Sequence, residues 1–260
     1  MKNPPISKLY QYIEKCNGTR PWGRVLDAGT GLRSMQWMNT LETTALTAVT
    51  ASRAMITQVE DSAKVSLRSN DRLVLGNWGD PQLLAGECFD TILMDYLIGA
   101  VEAYWPYGQD GLLQRLRPMI RGRVFLTGME PYVPYPAETR AGAIVRRIGS
   151  LRDAILTLSG QRPYREFPVA WVVQQLTRHG FKVLDARTFP IVRRAGFINS
   201  QLDWTLQHIE HAGSEALRAA LRSEVESLRE EAIALTKRED GLRHGADYVI
   251  TAEAQSSPGG

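Results

Sequence analysis

An aspartate stands two residues ahead of a glycine pair in VLDAGTGLRS, residues 25–34. A glycine turn between a strand and a helix leaves backbone N–H groups uncovered, so it suits an anionic or polar ligand. A dinucleotide site wants G-x-G-x-x-G, whose third glycine lets the helix pack closely. Here the run is Gly29, Thr30, Gly31, Leu32, Arg33, Ser34, and the third glycine is missing. The Asp27 carboxylate would also repel a pyrophosphate. The pattern fits a ligand with a cationic ammonium, or one whose hydroxyls need an acceptor. Gly29 and Gly31 are expected to let backbone approach that ligand, one of them through a positive φ.

Two acidic-aromatic clusters follow. DYLIGAVEAYWPYGQD supplies Asp95, Tyr96, Glu102, Tyr104, Trp105 and Tyr107, and GMEPYVPYP supplies Glu130, Tyr132 and Tyr135. Each comes just after a short apolar run, so each is placed at the carboxyl end of a strand, where open α/β sheets hold ligands. Asp95, Glu102 and Glu130 are the candidate bases for a reaction that removes a proton. His208 and His211 share one face of a helical segment. With no third ligand in view they read as a solvated pair, and no metal is expected.

The elements that must position these groups alternate. Apolar runs at 24–29, 46–51, 72–77, 90–97 and 123–128 are rich in Val, Leu, Ile and Thr and read as strands buried on both faces. Segments 52–65 and 108–120 between them carry helical spacing, so the core is a parallel sheet with covering helices. A loop at 131–136 leads to a long helix over 137–160 ending on Gly160, a helix over 169–180, and a sixth strand over 181–190. A seventh strand is placed at 246–254. Between these last two strands the chain reads as helix, with Ser200 as one cap and a second helix from Ser214. Leu217, Leu221, Val225, Leu228, Ala232 and Leu235 make an apolar stripe on that second helix. The stripe is a packing face or, in the sharper reading, the seam of a homodimer.

The chain has 260 residues, 43% hydrophobic, with 31 basic and 28 acidic residues and a net charge of +3. That suits one domain with a real core, placed at 1–252 with a helical insertion at about 191–245 and a frayed tail at 253–260. The charge is too balanced for a nucleic-acid partner. No run reaches the length of a membrane span, and the first ten residues have no apolar signal core, so a cytoplasmic location is expected. Cys16 and Cys88 read as reduced thiols.

VLDAGTG resembles motif I of the class I S-adenosylmethionine-dependent methyltransferases, and the later runs fall where that family has its second to fifth strands. The resemblance implies a Rossmann-like seven-stranded α/β sheet with helical insertions after strands five and six, spanning residue 20 to about 254. It implies S-adenosylmethionine as cofactor, with the glycine loop at its amino-acid part and Asp27 supporting that end. The family ends strand two with an acid on the ribose. This chain has Thr50, Ala51 and Ser52 there, so Thr50 and Ser52 are the expected ribose contacts. Asn77 and Trp78 stand where the family meets adenine, although Trp78 could equally be a core aromatic. Asp95 is placed beside the cofactor, and Asp95, Tyr96 and Glu102 beside the transferred methyl. The D/N-P-P-Y tetrapeptide of nitrogen-modifying relatives is absent, which disfavours DNA bases and protein glutamine as acceptors.

A small-molecule acceptor is therefore expected, touched by Tyr107, Glu130, Tyr132, Arg140, Arg147 and Tyr164. On a helix over 137–160, Arg140 and Arg147 lie two turns apart among Ile144, Ile148 and Leu151, with Arg152 turned aside. A guanidinium fork matches a carboxylate or phosphate, so the acceptor is expected to be anionic, such as a thioether carboxylate methylated on sulfur. The competing readings are a protein or nucleic-acid acceptor, an aminopropyltransferase, and a non-catalytic cofactor-binding scaffold.

Overall fold

A computed structural model describes residues 6–133 and 135–255. Residues 1–5 of the stretch read for a signal core, position 134 of the expected loop, and 256–260 of the expected frayed tail lie outside the described residues. Strands and helices alternate from the start: α1 (Lys8–Asn17), β1 (Arg24–Asp27), α2 (Leu32–Met38), β2 (Ala45–Thr50), α3 (Arg53–Glu60), β3 (Arg72–Leu75) and β4 (Phe89–Asp95). Next come α4 (Leu97–Tyr104), α5 (Gln109–Leu116), β5 (Ile120–Met129), α6 (Arg140–Leu158), α7 (Val169–Arg178) and β6 (Phe181–Arg193). The chain closes with α8 (Ala195–Ile209), α9 (Glu215–Glu239) and β7 (Leu242–Ala254). The strands form one sheet in the order β3-β2-β1-β4-β5-β7-β6.

β1 pairs in parallel with β2 on one side and β4 on the other, with Asp27 level with Ala48 and Leu93. The sheet order therefore reverses between β1 and β4, and in an open α/β sheet the ligand crevice forms at the carboxyl ends beside such a reversal. Val25, Leu26, Ile92, Leu93 and Met94 have no measurable exposure, because both faces of these strands are covered.

The described residues divide into two compact units, one within Met1–Met129, Glu166–Thr188 and Tyr248–Gly260, the other within Glu130–Arg165 and Phe189–Asp247. In the first, a core runs from Leu26, Ile92 and Val124 through α4, α5 and α7 to Tyr248 and Ile250. In the second, Ile144, Val145 and Ile148 of α6 pack with Ile198 and Leu202 of α8 and Val225, Leu228, Ala232 and Leu235 of α9. The apolar stripe of α9 is thus a packing face, and its buried half is not available as a dimer seam.

Several boundaries differ from those expected. α3 is shorter than 52–65, because Ser52 caps its start by accepting the Met55 N–H and the chain turns at Asp61. α6 begins at Arg140 behind a Thr139 cap, and Gly160 at φ 74° stops it. α8 starts before Ser200, which lies inside the helix and is not its cap. Ser214 does cap α9, accepting the Leu217 N–H. β6 and β7 are each 13 residues long, and β7 runs through Ala254, past the expected start of the tail. Among the described residues no helix is long and apolar enough to cross a membrane.

Candidate functional site

The glycine turn is fastened on three sides. Ala28 N–H donates to Leu93 O of β4 at 2.9 Å, and Thr30 N–H donates to Val49 O of β2 at 2.8 Å. The Trp78 indole N–H donates to Ala28 O at 2.6 Å. Trp78 is buried in the first core and braces the turn, in line with the core reading of it that the sequence left open. Neither Gly29 nor Gly31 has a positive φ. Gly29 is glycine for packing, since a Cβ there would come within 3.1 Å of Leu97. At Gly31 a Cβ would meet nothing within 4 Å, which leaves a cradle beside the first turn of α2.

Asp27 is fully buried under this turn. The Ser34 hydroxyl donates to its Oδ2 at 2.6 Å and accepts the Gly31 N–H at 3.0 Å. Its Oδ1 has no partner. Burial pushes the carboxyl up to about 7, with the Asp95 charge adding to the rise and the Ser34 hydrogen bond opposing it. Asp95, at the end of the adjacent β4, is also raised by burial, against hydrogen bonds from Thr127 and Tyr10. Thr127 Oγ1 donates to Asp95 Oδ1 at 2.6 Å, and the Tyr10 hydroxyl donates to Oδ2 at 2.8 Å. Among the described residues, no Lys, Arg or His is among the groups that shift either carboxyl. Asp27, fully buried, and the half-buried Asp95 thus lack a compensating cation among the described residues, which is costly unless a ligand supplies one.

Tyr96 follows Asp95 in the left-handed region at φ 49°, unusual for a side-chain-bearing residue and a mark of sites where structure overrides local preference. Its N–H is held by Thr127, through O at 3.2 Å and Oγ1 at 3.0 Å.

Solved structures share this architecture. A putative methyltransferase from Bacillus halodurans C-125 matches with a TM-score of 0.58 at 12% identity, over 96% of this chain and 99% of that one. Mycolic acid cyclopropane synthase CmaA1, complexed with SAH and CTAB, matches with 0.51 at 18%, over 93% and 83%. Coclaurine N-methyltransferase, bound to N-methylheliamine and SAH, matches with 0.51 at 15%, over 94% and 71%. The fold is that of the class I methyltransferases. No protein-family model and no curated protein matches the sequence.

Within the class I methyltransferase fold, Thr50 ends β2 and Ser52 follows it as the cap of α3, and both are occupied locally. Thr50 Oγ1 accepts the Ser52 N–H at 3.2 Å, and Ser52 Oγ accepts the Met55 N–H at 3.2 Å. Each hydroxyl keeps its proton to donate. Asn77 spans its own loop, donating to Tyr104 O at 2.6 Å and accepting the Gly79 N–H at 2.9 Å. Beside it, the Trp105 indole fills the space left by Gly79, Gly108 and Gly111, where added Cβ atoms would come within 3.2, 2.2 and 3.0 Å of the ring.

Glu102, expected beside the transferred methyl, organises the loop after α4. It is buried and accepts the Tyr107 N–H at 3.1 Å and the Gln109 side-chain amide at 3.0 Å. Tyr107 is held with φ 62° and its side chain is 69% exposed.

The remaining expected acceptor residues belong to the second unit. Arg140 pairs with Glu231 at 3.6 Å, and Arg147 with Glu231 at 2.5 Å and Glu224 at 3.1 Å. These two arginines therefore tie α6 to α9 at the surface and do not sit among apolar neighbours. Arg152, half-buried on α6, pairs with Asp153 at 2.7 Å and meets Tyr132. Tyr132 lies where Gly149 has no side chain, under the Arg193 guanidinium at 5.1 Å and edge-on to His244. Glu130 N–H donates to Ala246 O at 2.8 Å, and Tyr164 is exposed. His208 stacks on Trp204 at 4.0 Å with Nδ1 at 2.9 Å from Trp204 O. Among the described residues no three His, Cys, Asp or Glu side chains gather as metal ligands.

Sequence reasoning missed Tyr10, Ser34 and Thr127. Ser34 could have been found, since it stands where a dinucleotide motif has its third glycine and opens a helix.

Proposed function

We propose that the chain is an S-adenosylmethionine-dependent methyltransferase acting on a small-molecule acceptor. The observation that carries this reading is the Asp27–Asp95 pair: a fully buried and a half-buried carboxyl group at a sheet reversal, one oxygen unpartnered, with no cation among the described groups that shift either. A cofactor bearing an ammonium and a sulfonium supplies the charge that such a site lacks. The open cradle at Gly31 gives its amino-acid end room beside the α2 N-terminus. Asp27, Thr30 and Gly31 would hold that end, and Thr50 and Ser52 would donate hydroxyl protons to its ribose.

The cofactor supplies a methyl group already activated by positive sulfur. The protein's part is alignment, worth roughly 7–11 kcal/mol of barrier when reacting atoms are held in line. Asp95 and Tyr96 stand at the strand end where that alignment would be made. The expectation of an anionic acceptor loses its support, because Arg140 and Arg147 are taken by Glu224 and Glu231. The chemistry of the site favours no acceptor atom. Calorimetry with SAH tests the reading: saturable one-to-one binding, lost in Gly31→Val, is expected. No saturable heat with the wild-type chain would sink it.

A further inference from the structure

The helix ahead of the sheet has no part in the function proposed so far, yet it reaches the acid pair. α1 is capped by Ser7, which accepts the Leu9 N–H, and carries Tyr10 on its buried face. The Tyr10 ring stacks on Trp37 of α2, centroids 4.4 Å apart and planes 8° from parallel. The Trp37 indole N–H donates back to Glu14 of α1 at 2.7 Å. Stacking and this second bond fix the helix without any help from the phenol. The Tyr10 hydroxyl is therefore not needed for docking, and it donates to Asp95 Oδ2 at 2.8 Å. The groups facing Asp95 are then Tyr10 from α1, Thr127 from β5, Asp27 from β1 and Tyr96 beside it.

We propose that Tyr10 is a positioning residue of the cofactor site, whose hydroxyl orients the Asp95 carboxylate and makes helix α1 part of the binding surface. This rests on the cofactor reading above. A phenol O–H bound to a carboxylate favours its ionised form, the form that attracts a cationic ligand. Burial raises the Tyr10 phenol far above its usual range, so it remains a donor throughout the accessible pH range. Affinity for the cofactor should rise with pH as the acid pair ionises, and Tyr10 should set where that rise falls.

The test is SAH binding by calorimetry from pH 5 to 9, with the wild-type chain, Tyr10→Phe and Thr127→Val. Tyr10→Phe keeps the ring on Trp37 and removes only the hydroxyl. It should weaken SAH about tenfold near neutral pH and move the midpoint of the affinity–pH curve upward by about one to two units. Thr127→Val should move the midpoint the same way without touching α1. A Tyr10→Phe chain with a lower melting temperature but an unshifted midpoint would overturn the proposal and leave Tyr10 a packing residue. Absence of SAH binding by the wild-type chain would instead overturn the cofactor reading, and this inference with it.

Discussion

Replacing Asp27 with asparagine should stabilise the ligand-free protein at high pH while weakening its cofactor affinity. In the unfolded chain this carboxyl releases its proton near 3.9. In the folded chain burial and Asp95 hold the proton until about 7. Between those values the folded state binds more protons than the unfolded one, so stability falls as pH rises through the window and levels off above it. A shift of about three units at 1.36 kcal/mol each gives a loss of about 4 kcal/mol. The amide introduced by Asp27→Asn cannot ionise, yet its oxygen can still accept the Ser34 hydroxyl. Urea unfolding of both chains at pH 5.0 and 8.5 separates this effect from any constant cost of the amide. The Asp27→Asn chain should gain about 3 kcal/mol relative to wild type between the two pH values, the part of the loss that falls above pH 5.0. A relative change below about 1 kcal/mol would refute the claim that Asp27 is held against its ionisation. Binding of SAH to the wild-type chain should release a proton near neutral pH, seen as a buffer-dependent heat. Asp27→Asn should weaken that binding by about one to two decades, the value of a lost charge-assisted bond.

Gly31→Val should abolish SAH binding with little change in melting temperature, because its side chain enters open space in the ligand-free chain; normal binding would mean the cradle is not used. Leu228→Ala, in the core of the second unit, should cost about 2–5 kcal/mol in urea unfolding. Arg147→Ala should cost less than about 1 kcal/mol, as expected of a half-exposed ion pair, and leave the SAH dissociation constant unchanged. A large loss of affinity in Arg147→Ala would restore the arginine to the site.

The sheet was legible because its strands are short, apolar and regularly spaced, and because Asp27 and the glycines mark the turn after β1. Helix α1 was not read: its pattern is ordinary, and its connection to Asp95 spans 85 positions. Glu102 misled because an acid near a strand end looks catalytic, and only the fold brings the Tyr107 N–H and Gln109 to it. Arg140 and Arg147 misled for a related reason. Their spacing on α6 was right, but the face they share looks to the glutamates of α9, which for Arg147 stand 77 and 84 positions later. Trp78 was open between ligand and core on sequence alone, and its indole bond to Ala28 O decides for the core.

The nest around Trp105 has an evolutionary consequence. Gly79, Gly108 and Gly111 adopt no conformation that demands glycine, since none has a positive φ. The same indole lies where each side chain would go: a Cβ at Gly108 would come within 2.2 Å of it, and one at Gly79 or Gly111 would press on it at 3.2 or 3.0 Å. In diverged homologues these three positions should therefore covary with position 105 and not with turn geometry. A lineage that replaces the tryptophan by a small residue frees all three glycines at once, and one that keeps it must move the ring to change Gly108. An alignment showing three invariant glycines here would be recording the footprint of a single side chain.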